Sequence, residues 1–308
     1  MLDKLYRQTL LGIADNSAVQ HFAKTQGWKL GVKRFVAGED LEEALPALRE
    51  IEAEGKYPIL DLLGEFVDTE AGAADMTEKV LATLDRLEST SLNRYMSVKP
   101  TQLGLGIGFE LGLENAKRVV ERAQEIDAKI CFDMENYPFV DDTLKLYKTL
   151  ENAGYENVST VLQSYLRRSM DDLKDLLELE PKPSLRIVKG AYKESEEVAF
   201  QDKDKVDALF KDMVFMGLEN GAHINVATHD ETIIATVKDF IRSMNIPKEQ
   251  YEFQLLYGVK PKLQQTLLDE GHLVRIYVPY GEDWYGYFSR RLAERPANLM
   301  FVVRGILG

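Results

Sequence analysis

The feature that most constrains the fold is a repeated alternation between short strand-like runs and longer helix-like stretches. Eight runs rich in branched and aromatic residues are typical of buried strands, at 57–62, 94–98, 129–133, 158–162, 185–188, 223–228, 252–256 and 273–278. Seven stretches between them have apolar residues at helical spacing, at 75–88, 114–126, 141–152, 171–179, 203–218, 230–244 and 261–269, and one more follows at 284–294. Eight such units predict an α/β fold of the (β/α)8 TIM-like barrel type.

A doubly wound open sheet is the structural alternative, and it normally has a glycine-rich phosphate turn after its first strand. Here the first strand runs into Asp61 and Leu62 without such a turn. The segment 104–108 (GLGIG) follows the second strand and lacks the fingerprint spacing, so we expect an ordinary loop there. Residues 1–56 look helical, which predicts an N-terminal helical extension that forms an arm or cap, followed by a catalytic barrel at 57–308.

Composition narrows the class of partner and the compartment. The chain has 38 basic and 51 acidic residues, a formal net charge of −13, which argues against nucleic acid as a ligand. The single cysteine, Cys131, excludes an intrachain disulfide framework and is compatible with the reducing cytoplasm. The N-terminus lacks the pattern of a signal peptide, and the longest apolar runs are strand-sized. We therefore expect a cytoplasmic protein, with peripheral membrane contact left open.

Polar residues collect where the predicted strands end. In a (β/α)8 barrel the active site lies at these carboxyl ends. They are occupied by Asp61, Lys99, Asp133, Gln163, Lys189, Thr228, His229, Gln254 and Tyr277. Side chains two apart on a strand share a face, so Asp133 is expected to point inward with Cys131. Arg186 shares a face with Val188, and an inward guanidinium there needs an anionic or hydrogen-bonding partner.

The last predicted helix has a pair of arginines next to an acid. Arg290 and Arg291 lie four and three residues before Glu294, so one carboxylate is able to hold both guanidinium groups, and Tyr287 lies one turn earlier. Paired guanidinium groups bind a carboxylate or phosphate in bidentate geometry. The pattern indicates an anion clamp at the barrel mouth, against the simpler interpretation of a solvated helix face with ordinary salt bridges.

The residues alone leave the reaction open. The four histidines show no metal-ligand spacing, so no metal site is expected. Two chemistries fit the strand ends. One is a Schiff-base lyase that uses Lys99 or Lys189 as the amine nucleophile, and the other is a redox enzyme whose cofactor transfers the electrons.

A set of motifs, in order along the chain, resembles the monofunctional proline dehydrogenase (proline oxidase) family. The matching segments are 98–104 (VKPTQLG), 132–135 (FDME), 163–168 (QSYLRR), 186–192 (RIVKGAY), 227–230 (ATHD), 252–258 (EFQLLYG), 275–281 (RIYVPYG) and 287–294 (YFSRRLAE). They touch almost every strand end from about residue 57 to residue 300. The resemblance implies an FAD-dependent enzyme that oxidises L-proline to Δ1-pyrroline-5-carboxylate, the first step of proline degradation to glutamate.

The resemblance also implies roles for individual residues. Lys99, Arg290 and Arg291 correspond to ligands of the substrate carboxylate, and Glu294 to the residue that orients the arginine pair. Asp133, Arg186 and Tyr277 are the expected catalytic residues. Leu256 and Tyr287 correspond to apolar walls around the pyrrolidine ring. The expected FAD contacts are Met134, Gln163, Arg186, Val188, Lys189, Gly190, Thr228 and His229.

The implied mechanism is hydride transfer from C5 of proline to N5 of the flavin, with electrons passed on to a membrane quinone. The membrane contact that this implies is peripheral at most, at the inner face. Because the chain ends at Gly308, we expect a separate pyrroline-5-carboxylate dehydrogenase for the second oxidation. Two alternatives stay open: a dehydrogenase of hydroxyproline or another cyclic imino acid, and the Schiff-base lyase.

Overall fold

The fold is a closed eight-stranded parallel barrel. A computed structural model describes residues 31–64 and 67–294, apart from the side chains of 292–294. The strands follow one another around the barrel in chain order. They are β1 (Tyr57–Leu62), β2 (Tyr95–Val98), β3 (Lys129–Phe132), β4 (Val158–Gln163), β5 (Ser184–Val188), β6 (His223–Ala227), β7 (Tyr251–Leu256) and β8 (Val274–Tyr280). The barrel closes through parallel pairing of β1 with β8, and the predicted (β/α)8 architecture is confirmed.

The helices also follow the predicted pattern, and two of them begin five residues earlier than predicted. They are α1 (Leu41–Ala53), α2 (Glu70–Glu88), α3 (Phe109–Glu125), α4 (Val140–Asn152), α5 (Ser169–Leu176), α6 (Lys203–Glu219), α7 (Glu231–Ser243), α8 (Pro261–Asp269) and α9 (Trp284–Glu294). Helix α2 begins five residues before its predicted start because Thr69 caps it, accepting a hydrogen bond from the Gly72 amide at 3.2 Å. Among the described residues, no helix is both long and apolar enough to cross a bilayer.

The strands are buried on both faces, as expected where helices cover a parallel sheet. On β3, Ile130, Cys131 and Phe132 are all fully buried in the main hydrophobic core. The glycine-containing segment 104–108 is a loop between a 3-10 turn (Pro100–Leu103) and α3, as predicted. No phosphate turn forms there.

Helix α1, which lies in the segment predicted as the N-terminal extension, packs against β1 and β8. Its buried face, which includes Leu45, Leu48 and Ile51, belongs to the same core as the barrel. The division of the chain at residue 56 stays a prediction, and residues 1–30 lie outside the described part.

A second, smaller cluster connects the chain before α1 to α9. It contains Val32, Phe35, Val36, Leu63, Trp284, Tyr287 and Phe288, and we call it the α9 cluster. The Phe35 and Phe288 rings lie 6.3 Å apart, and the Trp284 indole donates a hydrogen bond to Glu39 at 3.1 Å. The position of α9 over the barrel therefore depends on packing with a segment some 250 residues away in sequence.

Candidate active site

A cavity of about 510 Å³ lies at the carboxyl ends of the strands. Residues from every strand or from the loop directly after it line the cavity, and α9 and Lys203, the first residue of α6, contribute the rest. The predicted site residues among the lining are Lys99, Asp133, Met134, Gln163, Arg186, Val188, Lys189, Gly190, Thr228, His229, Leu256, Tyr277, Tyr287, Arg290 and Arg291. The remaining predicted residue, Glu294, has its side chain outside the described part. Barrel closure thus brings together motifs that are up to about 190 residues apart.

Asp133 is the centre of the polar floor of the cavity. Its Oδ1 accepts hydrogen bonds from Ser97 Oγ at 2.6 Å and from Arg186 Nη1 at 2.7 Å. Its Oδ2 accepts from the Tyr277 hydroxyl at 2.7 Å and lies 3.7 Å from Lys99 Nζ. Burial alone would raise the pKa of Asp133, but the charges of Arg186 and Lys99 lower it below its usual value. The carboxylate is therefore ionised and is fixed from three sides.

Asp61, at the end of β1, forms a second carboxylate in the floor. Lys99 Nζ donates to Asp61 Oδ1 at 2.7 Å, and both side chains are buried. Burial raises the pKa of Asp61, and the charge of Lys99 offsets this only in part. Asp133 lies beside both Arg186 and Lys99, whereas Lys99 is the cation beside Asp61, so Asp61 takes up a proton more readily than Asp133 does. The sequence places Asp61 among the polar strand ends, but only the fold shows its contact with Lys99.

Arg186 and Gln163 each have a buried polar atom with no hydrogen-bond partner among the described residues. These atoms are Arg186 Nη2 and Gln163 Oε1. Both residues line the cavity, and Gln163 uses its amide nitrogen to donate to the carbonyls of Met134 and Glu135, at 3.2 Å each. An unpaired buried donor or acceptor costs about 1–3 kcal/mol, so such groups at a cavity indicate a ligand. One donor and one acceptor are available for that ligand.

Gly190 lines the cavity and packs closely against Tyr165. Its φ of +112° is in a region that L side chains rarely adopt, and an added Cβ would lie 2.2 Å from Cδ1 of Tyr165. Lys189 directly precedes it, and the Lys189 ammonium forms salt bridges with Asp207 at 2.6 Å and Asp230 at 3.0 Å. Only glycine fits position 190, and the lysine is held in place beside it.

His229 connects the β6 end to the β7 end. The Leu256 amide donates a hydrogen bond to His229 Nε2 at 3.0 Å, which makes that ring nitrogen an acceptor. A predicted cofactor contact and a predicted wall of the substrate pocket are therefore directly linked by one hydrogen bond.

Helix α9 brings cations to the cavity from above the floor. Tyr287, Arg290 and Arg291 all line the cavity, and the Arg291 guanidinium lies 5.0 Å from the centre of the Tyr287 ring. Arg291 is buried, and a desolvated guanidinium interacts strongly with a carboxylate. Glu294 is predicted to orient this arginine pair, and its side chain lies outside the described part.

Two polar neighbours of the predicted residues were given no role from sequence: Ser97 was not singled out, and Gln254 was named only as a polar strand end. Ser97 lies on the same face of β2 as Lys99, and Gln254 lies on the same face of β7 as Leu256. The period-two alternation was the signal that identifies them as inward-facing. Their partners, Asp133 and Arg186, become evident only in the closed barrel.

The lone cysteine is a core residue of β3. Cys131 is fully buried in β3, and burial raises the pKa of its thiol. Across residues 31–64 and 67–294 no group of three or more His, Cys, Asp or Glu side chains is arranged to hold a metal ion.

The fold and this cavity define a (β/α)8-barrel enzyme in which clustered cations face an acidic, hydrogen-bonded floor. Comparison with known proteins identifies the family. The model of the proline dehydrogenase family matches residues 44–304. The chain is 44% identical to proline dehydrogenase of Deinococcus radiodurans, covering 100% of this chain and 99% of that protein, and 39% identical to proline dehydrogenase 1 of Bacillus subtilis, covering 98% and 99%. The chain belongs to the proline dehydrogenase family, whose members are oxidoreductases of proline catabolism.

A solved structure gives the same fold. A crystal structure of proline utilization A (PutA) from Bdellovibrio bacteriovorus, inactivated by N-propargylglycine, superposes with a TM-score of 0.81 at 26% identity. The match covers 94% of this chain and 36% of that one. This chain thus corresponds in fold to about a third of a longer protein.

Proposed function

We propose that this chain is an FAD-dependent L-proline dehydrogenase that oxidises L-proline to Δ1-pyrroline-5-carboxylate. The main support is the convergence of Lys99, Arg290 and Arg291 on one cavity whose floor is the Asp133 cluster. Three cations suit an amino acid carboxylate, and the ionised Asp133 is an anion that suits the substrate amine.

The chain's own residues would act mainly by positioning. The cations fix the carboxylate, while Leu256 and Tyr287, which also line the cavity, exclude water from the ring carbons. Holding the reacting carbon in one orientation removes much of the entropic part of the barrier. Asp133 is kept in its own orientation by Ser97 and Tyr277, so it adds a fixed charge and no mobile one.

The cavity fits the cofactor that the family uses. Arg186 Nη2 and Gln163 Oε1 are a buried donor and acceptor without partners in the described chain, as expected beside a polar heteroaromatic ring. Gly190 lines the cavity, where its missing side chain leaves room for the Tyr165 ring, and Lys189, Thr228 and His229 add polar groups, with Met134 and Val188 as apolar contacts. FAD, when bound, would accept the electrons and the hydrogen removed from the substrate.

The proposal is tested by mixing purified holoenzyme with L-proline without oxygen, which should bleach the flavin absorbance. Arg291→Met should raise KM for proline about 10- to 100-fold, the loss expected for one charge-assisted hydrogen bond, and leave the FAD content unchanged. Arg242→Met, at an exposed guanidinium on α7, is the matched control and should behave as wild type. Unchanged steady-state constants in Arg291→Met would refute the carboxylate assignment.

The lyase alternative is disfavoured by the salt bridges of its two candidate nucleophiles. Lys99 and Lys189 each bind carboxylates at 2.6–3.0 Å, which suits an ammonium ion that holds anions and not a neutral amine that attacks a carbonyl. A colourless protein that borohydride traps on a keto substrate would favour the lyase. Bleaching by 4-hydroxyproline in preference to proline would favour the imino acid homologue.

We further propose that the electrons pass to a membrane quinone and that the chain contacts the inner face of the cytoplasmic membrane peripherally. The support is the family resemblance. Reduction of a soluble quinone analogue by proline, and co-sedimentation with lipid vesicles, test the two parts separately.

A further inference from the structure

A series of hydrogen-bonded, buried side chains runs from the cavity lining into the barrel interior. It runs from Arg186 on β5 to Gln254 and Glu252 on β7 and ends at Arg275 on β8. Arg186 Nε donates to Gln254 Oε1 at 2.5 Å, Gln254 Nε2 donates to Glu252 Oε1 at 2.6 Å, and Arg275 Nε donates to the same oxygen at 2.7 Å. All four side chains are buried.

We propose that Gln254, oriented by Glu252, is a positioning residue that fixes the plane of the Arg186 guanidinium and so the direction of its one unpartnered nitrogen. The proposal rests on the proposed function, because that function assigns Arg186 to the cofactor. Gln254 lines the cavity and Glu252 lies next to it inside the barrel, and we infer that both act on the cofactor through Arg186.

The Gln254 amide is able to present either its oxygen or its nitrogen to a neighbour. An ionised carboxylate only accepts hydrogen bonds. Burial raises the pKa of Glu252, but the charge and hydrogen bond of Arg275 lower it below its usual value. The ionised Glu252 therefore requires the amide nitrogen of Gln254, and the amide oxygen is left to face Arg186.

The Arg186 guanidinium is planar, with its nitrogens at fixed angles. Nη1 donates to Asp133 Oδ1 at 2.7 Å and to Ser97 Oγ at 3.1 Å. These contacts alone would let the group rotate about Nη1. The bond from Nε to Gln254 is a second point of attachment at a different corner of the same plane, so the direction of Nη2 follows from the two together.

The ion pair of Arg275 with Glu252 forms the inner end of this series of side chains. A buried ion pair such as Arg275 with Glu252 is often no more stabilising than apolar residues of similar volume. Arg275 also donates to Asn93 Oδ1 at 2.8 Å and lies 4.7 Å from the centre of the Tyr95 ring, so its charge is held rigidly. The role that we infer for the pair is therefore to orient the Gln254 amide, and apolar residues would fill the barrel equally well.

Gln254→Met tests the proposal, because it keeps the volume and removes the acceptor for Arg186 Nε. We expect kcat for proline to fall about tenfold or more, with KM changed less than about threefold because the carboxylate ligands are untouched. The midpoint potential of the bound flavin should become more negative, since a less well held cation stabilises added electrons less. Gln250→Met is the matched control, since the Gln250 amide donates only to the carbonyls of Leu218 and Ala222 at the opposite end of β7.

A second variant tests the role of Glu252 without leaving a buried charge unpaired. The combined change Glu252→Leu and Arg275→Met replaces the ion pair by apolar side chains and frees the Gln254 amide to rotate. It should lower kcat and the flavin potential in the same direction as Gln254→Met. In a chain that already has Gln254→Met, it should cause no further loss, because both changes act through one contact.

The outcomes separate the inference from the proposed function. Wild-type protein that lacks flavin or is not reduced by proline contradicts the proposed function. An active wild type in which Gln254→Met matches Gln250→Met in kcat and flavin potential overturns the positioning role. Additive losses, when the ion-pair replacement is added to Gln254→Met, overturn the coupling to Glu252. If Gln254→Met does not fold, the variant with Glu252→Leu and Arg275→Met decides the question by its own kcat and potential.

Discussion

The α9 cluster predicts that a residue far from the chemistry sets the affinity for substrate. Phe35 is 1% exposed, and its ring packs on Phe288 of the helix that presents Arg290 and Arg291 to the cavity. Phe35→Ala removes a fully buried ring, a change that typically costs about 3–5 kcal/mol. Because the cluster is separate from the main core, we expect much of this loss to appear as undocking of α9 and less as global unfolding.

The size of the effect follows from the docked fraction. About 1.4 kcal/mol corresponds to a tenfold change in an equilibrium, so a loss of about 3 kcal/mol raises the ratio of undocked to docked helix roughly 100-fold. Because the wild-type helix is docked by a favourable free energy, part of this rise in the ratio leaves most of the protein docked. Apparent affinity falls with the competent fraction, and we therefore expect KM for proline to rise about tenfold.

The assay compares KM and the melting temperature of Phe35→Ala with those of Phe210→Ala. Phe210, on α6, is equally buried but belongs to the main core, so the same deletion should lower the melting temperature and leave KM of the folded enzyme unchanged. Equal KM values in the two variants, with equal losses of melting temperature, would refute the idea that the α9 cluster positions the clamp.

Two further predictions concern the cavity wall and the response to pH. Gly190→Ala should lower the melting temperature of the apoprotein and its affinity for FAD, because φ of +112° costs an L residue about 1–2 kcal/mol and the new Cβ would overlap the Tyr165 ring; calorimetry and flavin titration measure both, and wild-type values would contradict the strain argument. Burial lowers the pKa of His272 below its ordinary value of 6.5, so the unfolded chain binds more protons as the pH falls below 6.5 and stability decreases there. Melting temperatures from pH 7 to pH 5 should therefore fall less steeply in His272→Gln than in wild type, and parallel curves would show that His272 does not contribute.

Much of the fold could be predicted because barrel strands and helices differ in period. Apolar runs such as 158–162 and helical spacing such as 141–152 were located to within a residue or two of β4 and α4. Helix starts were less accurate. The Thr69 cap extends α2 through glycine and alanine residues that have no apolar periodicity, so the pattern could not show them.

The candidate site was predictable in membership but not in its contacts. Polar residues that end parallel strands must meet at one rim, and this is a consequence of chain order and direction alone. Which of them bind one another depends on strand stagger and on closure between β1 and β8. The pairing of Lys99 with Asp61 and of Arg186 with Gln254 therefore had no local signal.

Backbone period and side-chain chemistry were enough to predict the eightfold alternation, the inward direction of Asp133 and the order of the motifs from the sequence. How the charges combine depends on the folded barrel. One ammonium lies between two carboxylates, one guanidinium is fixed from two sides, and α9 is held by residues 32–36. These contacts join residues far apart in sequence, and their distances and burial arise only when the barrel closes.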